Sequence, residues 1–277
     1  MRTRFSLIAI IFTVLLSSCG QKAANDAGTS DITSDTTERK NVAQQYEVQS
    51  GKYIPADRYY TGKDTLYLTL IGHASLMFEY KGAVIHIDPY SKVADYTRLP
   101  KANVVLLTHE HGDHLDSLAI SEVATGDTKF IMTKACREIL GFGEVVGNNE
   151  IAALHPIDIL AVPAYNMIHK RPDGEFYHPQ GRGNGYLLNF DGLTVYVAGD
   201  TEDIPEMESL KEKNIDIAFL PKNLPYTMTD AMFVNAAKMC MPKYLYPYHM
   251  TEFDKKKIGD ALSDTMISLI VKPMSNL

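Results

Sequence analysis

Residues 106–116 read LLTHEHGDHLD, and three of the chain's nine histidines fall within the six positions 109–114. Imidazoles and carboxylates this close repel, titrate or desolvate one another unless a positive charge lies among them. On a loop, the H-x-H-x-D-H spacing aims His109 and His111 at one point and Asp113 with His114 at another. Neutral imidazole and carboxylate suit zinc, iron or manganese, so the missing charge is expected to be metal. Two centres of convergence imply two divalent ions, with zinc the first choice and manganese or iron the alternatives. A solvated polar loop with chance histidines is the plain alternative, and the local density of histidine speaks against it.

Such a loop needs a rigid element to hold it. NVVLLT (103–108) is a short apolar run fit for a buried strand, and functional groups of α/β folds gather where strands end. A helix is expected after it, near Leu115 to Ala124. Upstream, SLMFEY and AVIHID are strand-like and flank Lys81-Gly82, a two-residue hairpin turn. A second hairpin, GYLLNF–DG–LTVYVAGD, turns at Asp191-Gly192 and delivers Asp200. KFIMT, IDILAVPAYN, IDIAFLP and KYLYPYH read as strands, the last carrying His249, and SLIVKPM as a possible final strand. KACREILG reads as a helix stopped by Gly141. PEMESLKEK is expected to be helical, and TDAMFVNAAKM to be a helix capped by Thr229. Hairpins come first and strand–helix alternation follows, with no linker inside 64–274 and no sequence repeat. The fold class expected is α+β, one domain of two mixed sheets with outer helices, an αβ/βα four-layer sandwich.

THEHGDH is similar to the signature of the metallo-β-lactamase superfamily, and more of the chain follows it in order. IHIDP with Asp88, VYVAGDT with Asp200 and YPYH with His249 resemble further segments of that superfamily. The resemblance covers roughly Leu66 to Val271. IGHASLMFEYKG and LPYTMTDA resemble the branch that includes L-ascorbate-6-phosphate lactonase and N-acyl-phosphatidylethanolamine phospholipase D. The resemblance implies that His109 and His111 hold one ion, that Asp113, His114 and His249 hold the other, and that Asp200 bridges. It implies that Asp88 braces the histidine loop from behind. The superfamily's third segment supplies another histidine, but here Asn166 stands in that place, and an amide oxygen is a weak zinc ligand. His169 and His178 lie downstream. His178, followed by a glycine-rich turn, is the favoured replacement ligand, the other possibility being no third histidine at all. His73, in GHAS, either faces the substrate or touches the metal loop, or is a buried histidine bonded to backbone. His86 alternates with Ile85 and Ile87 and is given no role, and His155 is placed in a loop.

The implied chemistry is hydrolysis of an ester, lactone or phosphodiester, a small-molecule or lipid-like substrate. A metal-bound hydroxide of lowered pKa attacks, while Asp113 and Asp200 orient it and pass its proton. Lys170, Arg171 and Arg182 flank the site on the 163–185 loop, where they could hold an anionic group. Two other readings stand beside this one. A sensor lipoprotein would keep the fold with a degraded site, as the missing histidine at Asn166 suggests. A diiron oxidoreductase would carry a glutamate ligand, but Glu110 occupies the wrong position.

The 277 residues, 45% hydrophobic and 22% charged, suit one large domain or two small ones. A net charge of −7 argues against a general nucleic-acid binder. Arg2 and Arg4 precede an apolar stretch, Phe5 to Leu16, too short to span ~30 Å of hydrocarbon. Leu16-Ser17-Ser18-Cys19 resembles a lipobox. Residues 1–18 are thus expected to be a lipoprotein signal peptide, and 19–63 a lipidated tether and linker. The domain is expected over 64–277, on an exported, membrane-anchored lipoprotein of the bacterial cell envelope. Tyr46 to Gly62 is intermediate in composition and could pack on the domain edge. Cys136 and Cys240 are expected to be buried free thiols. The sequence leaves the oligomeric state open.

Overall fold

The computed structural model describes residues 57–155 and 157–273. The expected signal peptide and the expected lipidation site, Cys19, lie outside the described residues. Two seven-stranded sheets carry the chain. The first contains β1 (Asp57–Tyr60), β2 (Thr65–Gly72), β3 (Ser75–Tyr80), β4 (Ala83–Ile87), β5 (Val104–Leu107), β6 (Lys129–Met132) and β7 (Glu144–Val145), neighbours in that order. The second contains β8 (Ile151–Leu154), β9 (Ile157–Ala164), β10 (Gly183–Phe190), β11 (Leu193–Val197), β12 (Ile217–Lys222), β13 (Tyr244–Met250) and β14 (Ser268–Leu269), again in chain order. In each sheet the first four strands pair antiparallel and the rest parallel. The two halves thus repeat one topology that the sequence does not display.

Both expected hairpins form. Lys81 and Gly82 have φ of 49° and 78°, and Asp191 and Gly192 have 52° and 100°. Two successive positive-φ residues match the right-handed twist of the flanking strands. Tyr80 then pairs with Ala83, and Phe190 with Leu193.

Period-2 patterning sorts each strand's side chains between two faces. Leu66, Leu68, Leu76, Phe78, Ile85, Ile87, Val104 and Leu106 of the first sheet meet Ile159, Tyr186, Leu188, Phe190, Val195, Val197, Phe219 and Tyr246 of the second. The outer face of the first sheet packs under α1 (Ser117–Val123) and α2 (Lys134–Leu140) through Met77, Val105, Leu107, Ala119, Ile120 and Cys136. The second sheet packs likewise under α3 (Asp230–Cys240), α4 (Lys255–Ala261) and a 3-10 segment, Pro205–Lys213. The layers run helix, sheet, sheet, helix, the expected αβ/βα sandwich.

Several expectations are refined. The sheet begins at Asp57, before the expected domain start at 64, because the tyrosine-rich segment pairs with β2 as an edge strand. PEMESLKEK winds as a 3-10 helix, with Pro205 at its start and few apolar anchors beyond Met207 and Leu210. The last strand is only Ser268–Leu269. Cys136 and Cys240 are free and buried. His86 is fully buried, with Nε2 2.9 Å from the Pro100 carbonyl, and burial pushes its imidazole down to about 4. Among the described residues no helix is long and apolar enough to cross a membrane.

Candidate metal centre

β5 ends at Leu107 and the chain enters the histidine loop, which the start of α1 closes. Asp116 caps α1, accepting from Leu118 N and Ala119 N, and also binds Ser91 N. This pins the loop at its exit. At its entrance, Asp88 follows β4 in left-handed backbone, φ 45°. That conformation is costly for a residue with a side chain, and such strain collects at functional sites. Its carboxylate is fully buried and accepts from Thr108 N at 2.8 Å and Thr108 Oγ1 at 2.6 Å. It also lies 2.8 Å from His114 Nδ1. With a proton on Nδ1 donated to Asp88, His114 Nε2 would be free to meet an ion, which is how Asp88 would brace the loop from behind.

The second sheet contributes the opposite wall. Gly199 precedes Asp200 with φ 68°, and a Cβ there would lie 2.6 Å from the Asn184 carbonyl oxygen. Only glycine allows β11 to end so close to β10, and this close approach sets Asp200 against the histidine loop. His249 follows at the end of β13 with φ 45°, its N–H donating to the His73 carbonyl, and His73 itself has φ 52°. Three strained non-glycine residues, His73, Asp88 and His249, therefore ring one point.

The side chains converge in overlapping groups whose ligand atoms lie within 4.8 Å of one another: His73, Asp113, His114 and His249; His109, His111 and His178; and His109, His114 and Asp200. His109 Nε2 and His111 Nδ1 face each other at 3.0 Å. Asp200 Oδ2 lies 3.3 Å from His178 Nε2 and 3.4 Å from His249 Nε2, and Asp200 Oδ1 lies 3.6 Å from His114 Nε2. Asp200 thus stands between the groups.

The structure separates the two downstream histidines. His178 enters the site. His169 turns away, with Nδ1 2.6 Å from Glu202 Oε1. Asn166 does not face the metal-binding atoms. Its Oδ1 accepts from His178 N at 2.8 Å and lies 2.7 Å from His178 Nδ1. Its Nδ2 donates to Glu202 Oε1 and to the Tyr226 carbonyl, which fixes the orientation of the amide. Asn166 therefore does for His178 what Asp88 does for His114.

His73 both lines the cleft and touches the metal loop, with Nε2 2.8 Å from Asp113 Oδ2 and its ring centroid 3.9 Å from that of His249. Of the three cations, only Arg171 lines the cleft in front of the site. Arg182 pairs with Glu110, and Lys170 lies over the Phe176 ring. Glu110 and Arg182 line a smaller pocket beside His109, His111 and His178. The cleft, about 390 Å³, is bounded by Arg171, Tyr177, Asn223 and Tyr226 beside the histidines. Asn223 Nδ2 lies 3.2 Å from His249 Nδ1. Sequence reasoning did not single out Asn223, Glu202 or the two tyrosines. Only the position of Asn223 just after β12, at a strand end, could have marked it.

The protonation states of His109 and His111 suit a metal. Burial, then the neighbouring His178, push His111 down to about 4. Burial and His114 hold His109 well below the usual range. Both are neutral ligands near pH 7, as coordination requires. For His114, burial is overcome by the Asp200 and Asp88 carboxylates, which hold its imidazole well above the usual range, with a proton that an ion would displace. Burial opposes the ionised form of Asp200, but His249 and His114 outweigh it and hold the carboxyl well below its ordinary value. For Asp113, His249 and His73 overcome burial in the same way. His114 Nε2, His249 Nε2 and Asp200 Oδ1 are buried with no hydrogen-bond partner. Buried polar atoms are rarely left so, and three facing one another mark a place for a cation.

The profile of the Beta-lactamase superfamily domain matches residues 67–249, from β2 through His249. A metal-dependent hydrolase of Thermococcus kodakarensis is 30% identical over 225 residues, covering 75% of this chain and 96% of that protein. A crystal structure from Parabacteroides distasonis, assigned as a metal-dependent hydrolase, is 47% identical with a TM-score of 0.75, covering 80% of this chain and 99% of its own. A metallo hydrolase from Ignicoccus hospitalis is 25% identical with a TM-score of 0.62, covering 76% and 96%. The matched stretch begins and ends on the strands that bring His73 and His249 together, and over it the chain belongs to the beta-lactamase superfamily.

Proposed function

We propose that this chain is a metal-dependent hydrolase of an ester, lactone or phosphodiester bond that works with two divalent ions, zinc first and manganese or iron as alternatives. One observation carries the reading. Asp200 stands between two sets of ligand atoms, His109, His111 and His178 on one side and Asp113, His114 and His249 on the other, at the floor of an open cleft. When bound, such ions supply a water acidic enough to attack near neutral pH, its pKa lowered from ~15.7 toward ~7, and charge to stabilise the oxygen that becomes negative. Asp113 and Asp200 supply carboxylate oxygens at the cleft floor that would orient an attacking water and accept its proton for the leaving group. Asp88 and Asn166 keep His114 and His178 with Nε2 directed inward.

His178 at the site supports the hydrolase over a degraded, sensor-like reading. The segments IGHASLMFEYKG and LPYTMTDA contribute His73 and Tyr226 to the cleft, which supports placement beside the lactonase and phospholipase-like branch. Export and lipid anchoring through Cys19 belong to the same proposal and rest on the N-terminal sequence. Metabolic labelling with palmitate that persists in Cys19→Ala would remove that part.

The first test is metal content. Wild-type protein is expected to hold about two ions per chain and His178→Ala about one. An unchanged count removes His178 as a ligand, and a wild type that holds none defeats the proposal. The metal-loaded protein is then offered p-nitrophenyl acetate, dihydrocoumarin and bis(p-nitrophenyl) phosphate. Silence toward all three, with metal in place, favours the sensor.

A further inference from the structure

We propose that the cleft contains an anion-binding subsite built on Arg171, which selects substrates bearing a negative charge next to the scissile bond and a flat group beside that charge. This deepens the hydrolase reading and rests on it.

Arg171 is positioned rather than loose. Its N–H donates to the Glu175 carbonyl at 2.7 Å, its carbonyl accepts from Gly174 N at 3.0 Å, and a bridge joins Lys170 to Phe176. The loop is therefore a short closed turn. The guanidinium lies 5.4 Å from the Tyr177 ring centroid, in cation–π range. Its Nη2 donates to the Tyr177 carbonyl at 3.2 Å and lies 2.9 Å from His111 Nε2. Neither of these partners is a carboxylate. Among the described residues Arg171 has no carboxylate partner, whereas Arg182 is matched by Glu110.

The contact with His111 cannot survive coordination through Nδ1, the atom that faces His109. A neutral imidazole ligating through Nδ1 keeps its proton on Nε2. Two donors would then face each other, and the guanidinium must find another acceptor. The cleft it lines offers that space. Two divalent ions outweigh the carboxylates of Asp113 and Asp200, so the loaded cleft is cationic before Arg171 is counted. A substrate oxyanion, with two oxygens spaced for the guanidinium fork, satisfies both demands. Tyr177 and Tyr226 meet edge to face, centroids 4.9 Å apart, and form the adjoining wall. An aryl or heterocyclic ring packs against such a surface. The shared chemistry is a planar group beside an anion, either the phosphoryl oxygens of a diester or a carboxylate flanking an ester or lactone.

The test is calorimetric titration of zinc-loaded protein with phenylphosphonate and with benzoate, and metal content is measured on the same samples. Wild type is compared with Arg171→Met and Arg171→Lys. With metal content unchanged, Arg171→Met is expected to bind the preferred anion roughly 10- to 100-fold more weakly. Arg171→Lys should fall between, because it keeps the charge and loses the fork. Tighter binding of phenylphosphonate assigns the phosphodiester, and tighter binding of benzoate the carboxylate. The preference for bis(p-nitrophenyl) phosphate over p-nitrophenyl acetate, as a ratio of kcat/KM, should drop in Arg171→Met. Equal anion affinity in metal-loaded wild type and Arg171→Met, or no binding of either anion to metal-loaded wild type, overturns the subsite and leaves the hydrolase reading intact. A wild type that holds no metal overturns both.

Discussion

Asn166, which the resemblance sets at the place of a further histidine, has an amide that works one step back from the candidate metal site. Its oxygen accepts from both the backbone and the ring of His178, and its nitrogen is anchored to the buried carboxylate of Glu202. Asn166→Ala would leave the His178 ring free to turn and to exchange tautomers. Affinity for an ion that His109, His111 and His178 would hold should fall roughly 10- to 100-fold, as when other residues behind metal ligands are lost. Competition with a chromogenic chelator measures it, and an unchanged affinity would show that His178 is fixed by packing alone. Glu202 has a wider task. It accepts from the N–H groups of Met167, Ile168 and His169 at 2.7 Å each, and holds Asn166 and His169 by their side chains. Burial opposes its charge, yet the His169 N–H and the Asn166 amide overcome it and keep the carboxyl below its ordinary value. Glu202→Gln turns one accepting oxygen into a donor that faces other donors, a loss of about 1–3 kcal/mol in urea unfolding.

At the scale of elements, the site exists because strand ends of two sheets meet, and the approach depends on Gly199. Gly199→Ala meets a carbonyl oxygen at 2.6 Å from a backbone already at φ 68°. Stability should fall by at least ~1–2 kcal/mol, and bound metal should fall with it, since Asp200 moves with the strand. Urea midpoints and metal content read the two effects. β3 carries a second, opposite liability. Burial pushes the Glu79 carboxyl up to about 8, and its Oε1 has no partner. The folded chain holds this proton more tightly than the unfolded chain, whose carboxyl titrates near 4.5. Stability therefore falls as pH rises from about 4.5 to about 8 and is level outside that window. Glu79→Gln should raise the melting temperature progressively across that range and leave it unchanged at pH 4. A constant difference at every pH would show a packing effect instead. The strands and hairpins around the site were legible because alternation and the Lys-Gly and Asp-Gly turns are local signals. β1, β7, β8 and α4 were not, because such short or edge elements are set by pairing and packing more than by their own pattern. Asn223 and Glu202 escaped for a related reason, since each acts on a residue more than 25 positions away.

For the whole molecule, the repeated topology has a consequence for stability. His73, His109, His111, Asp113 and His114 come from the half ending at β7, and His178, Asp200 and His249 from the half beginning at β8. Metal bound among them would cross-link the two sheets at one edge of their shared core. Without it, the buried His114 Nε2, His249 Nε2 and Asp200 Oδ1 lack a hydrogen-bond partner, and the two imidazoles meet Asp200 only at 3.6 Å and 3.4 Å. An ion that binds only the folded chain stabilises it by about 2.7 kcal/mol when free metal is at 100 times its Kd. For a domain of this size, that corresponds to a rise of roughly 5–10 °C in melting temperature. Removal of metal with a chelator should lower the melting temperature by this amount, and adding the ion back should restore it. The same difference should shrink in His249→Ala, which removes a candidate ligand supplied by the second half, and persist in His155→Ala, whose residue lies in a turn outside the histidine groups. Coincident melting curves for metal-bound and chelated wild type would mean that the inner core of Phe78, Phe190 and Phe219 holds the halves together unaided, and that the ions serve chemistry alone.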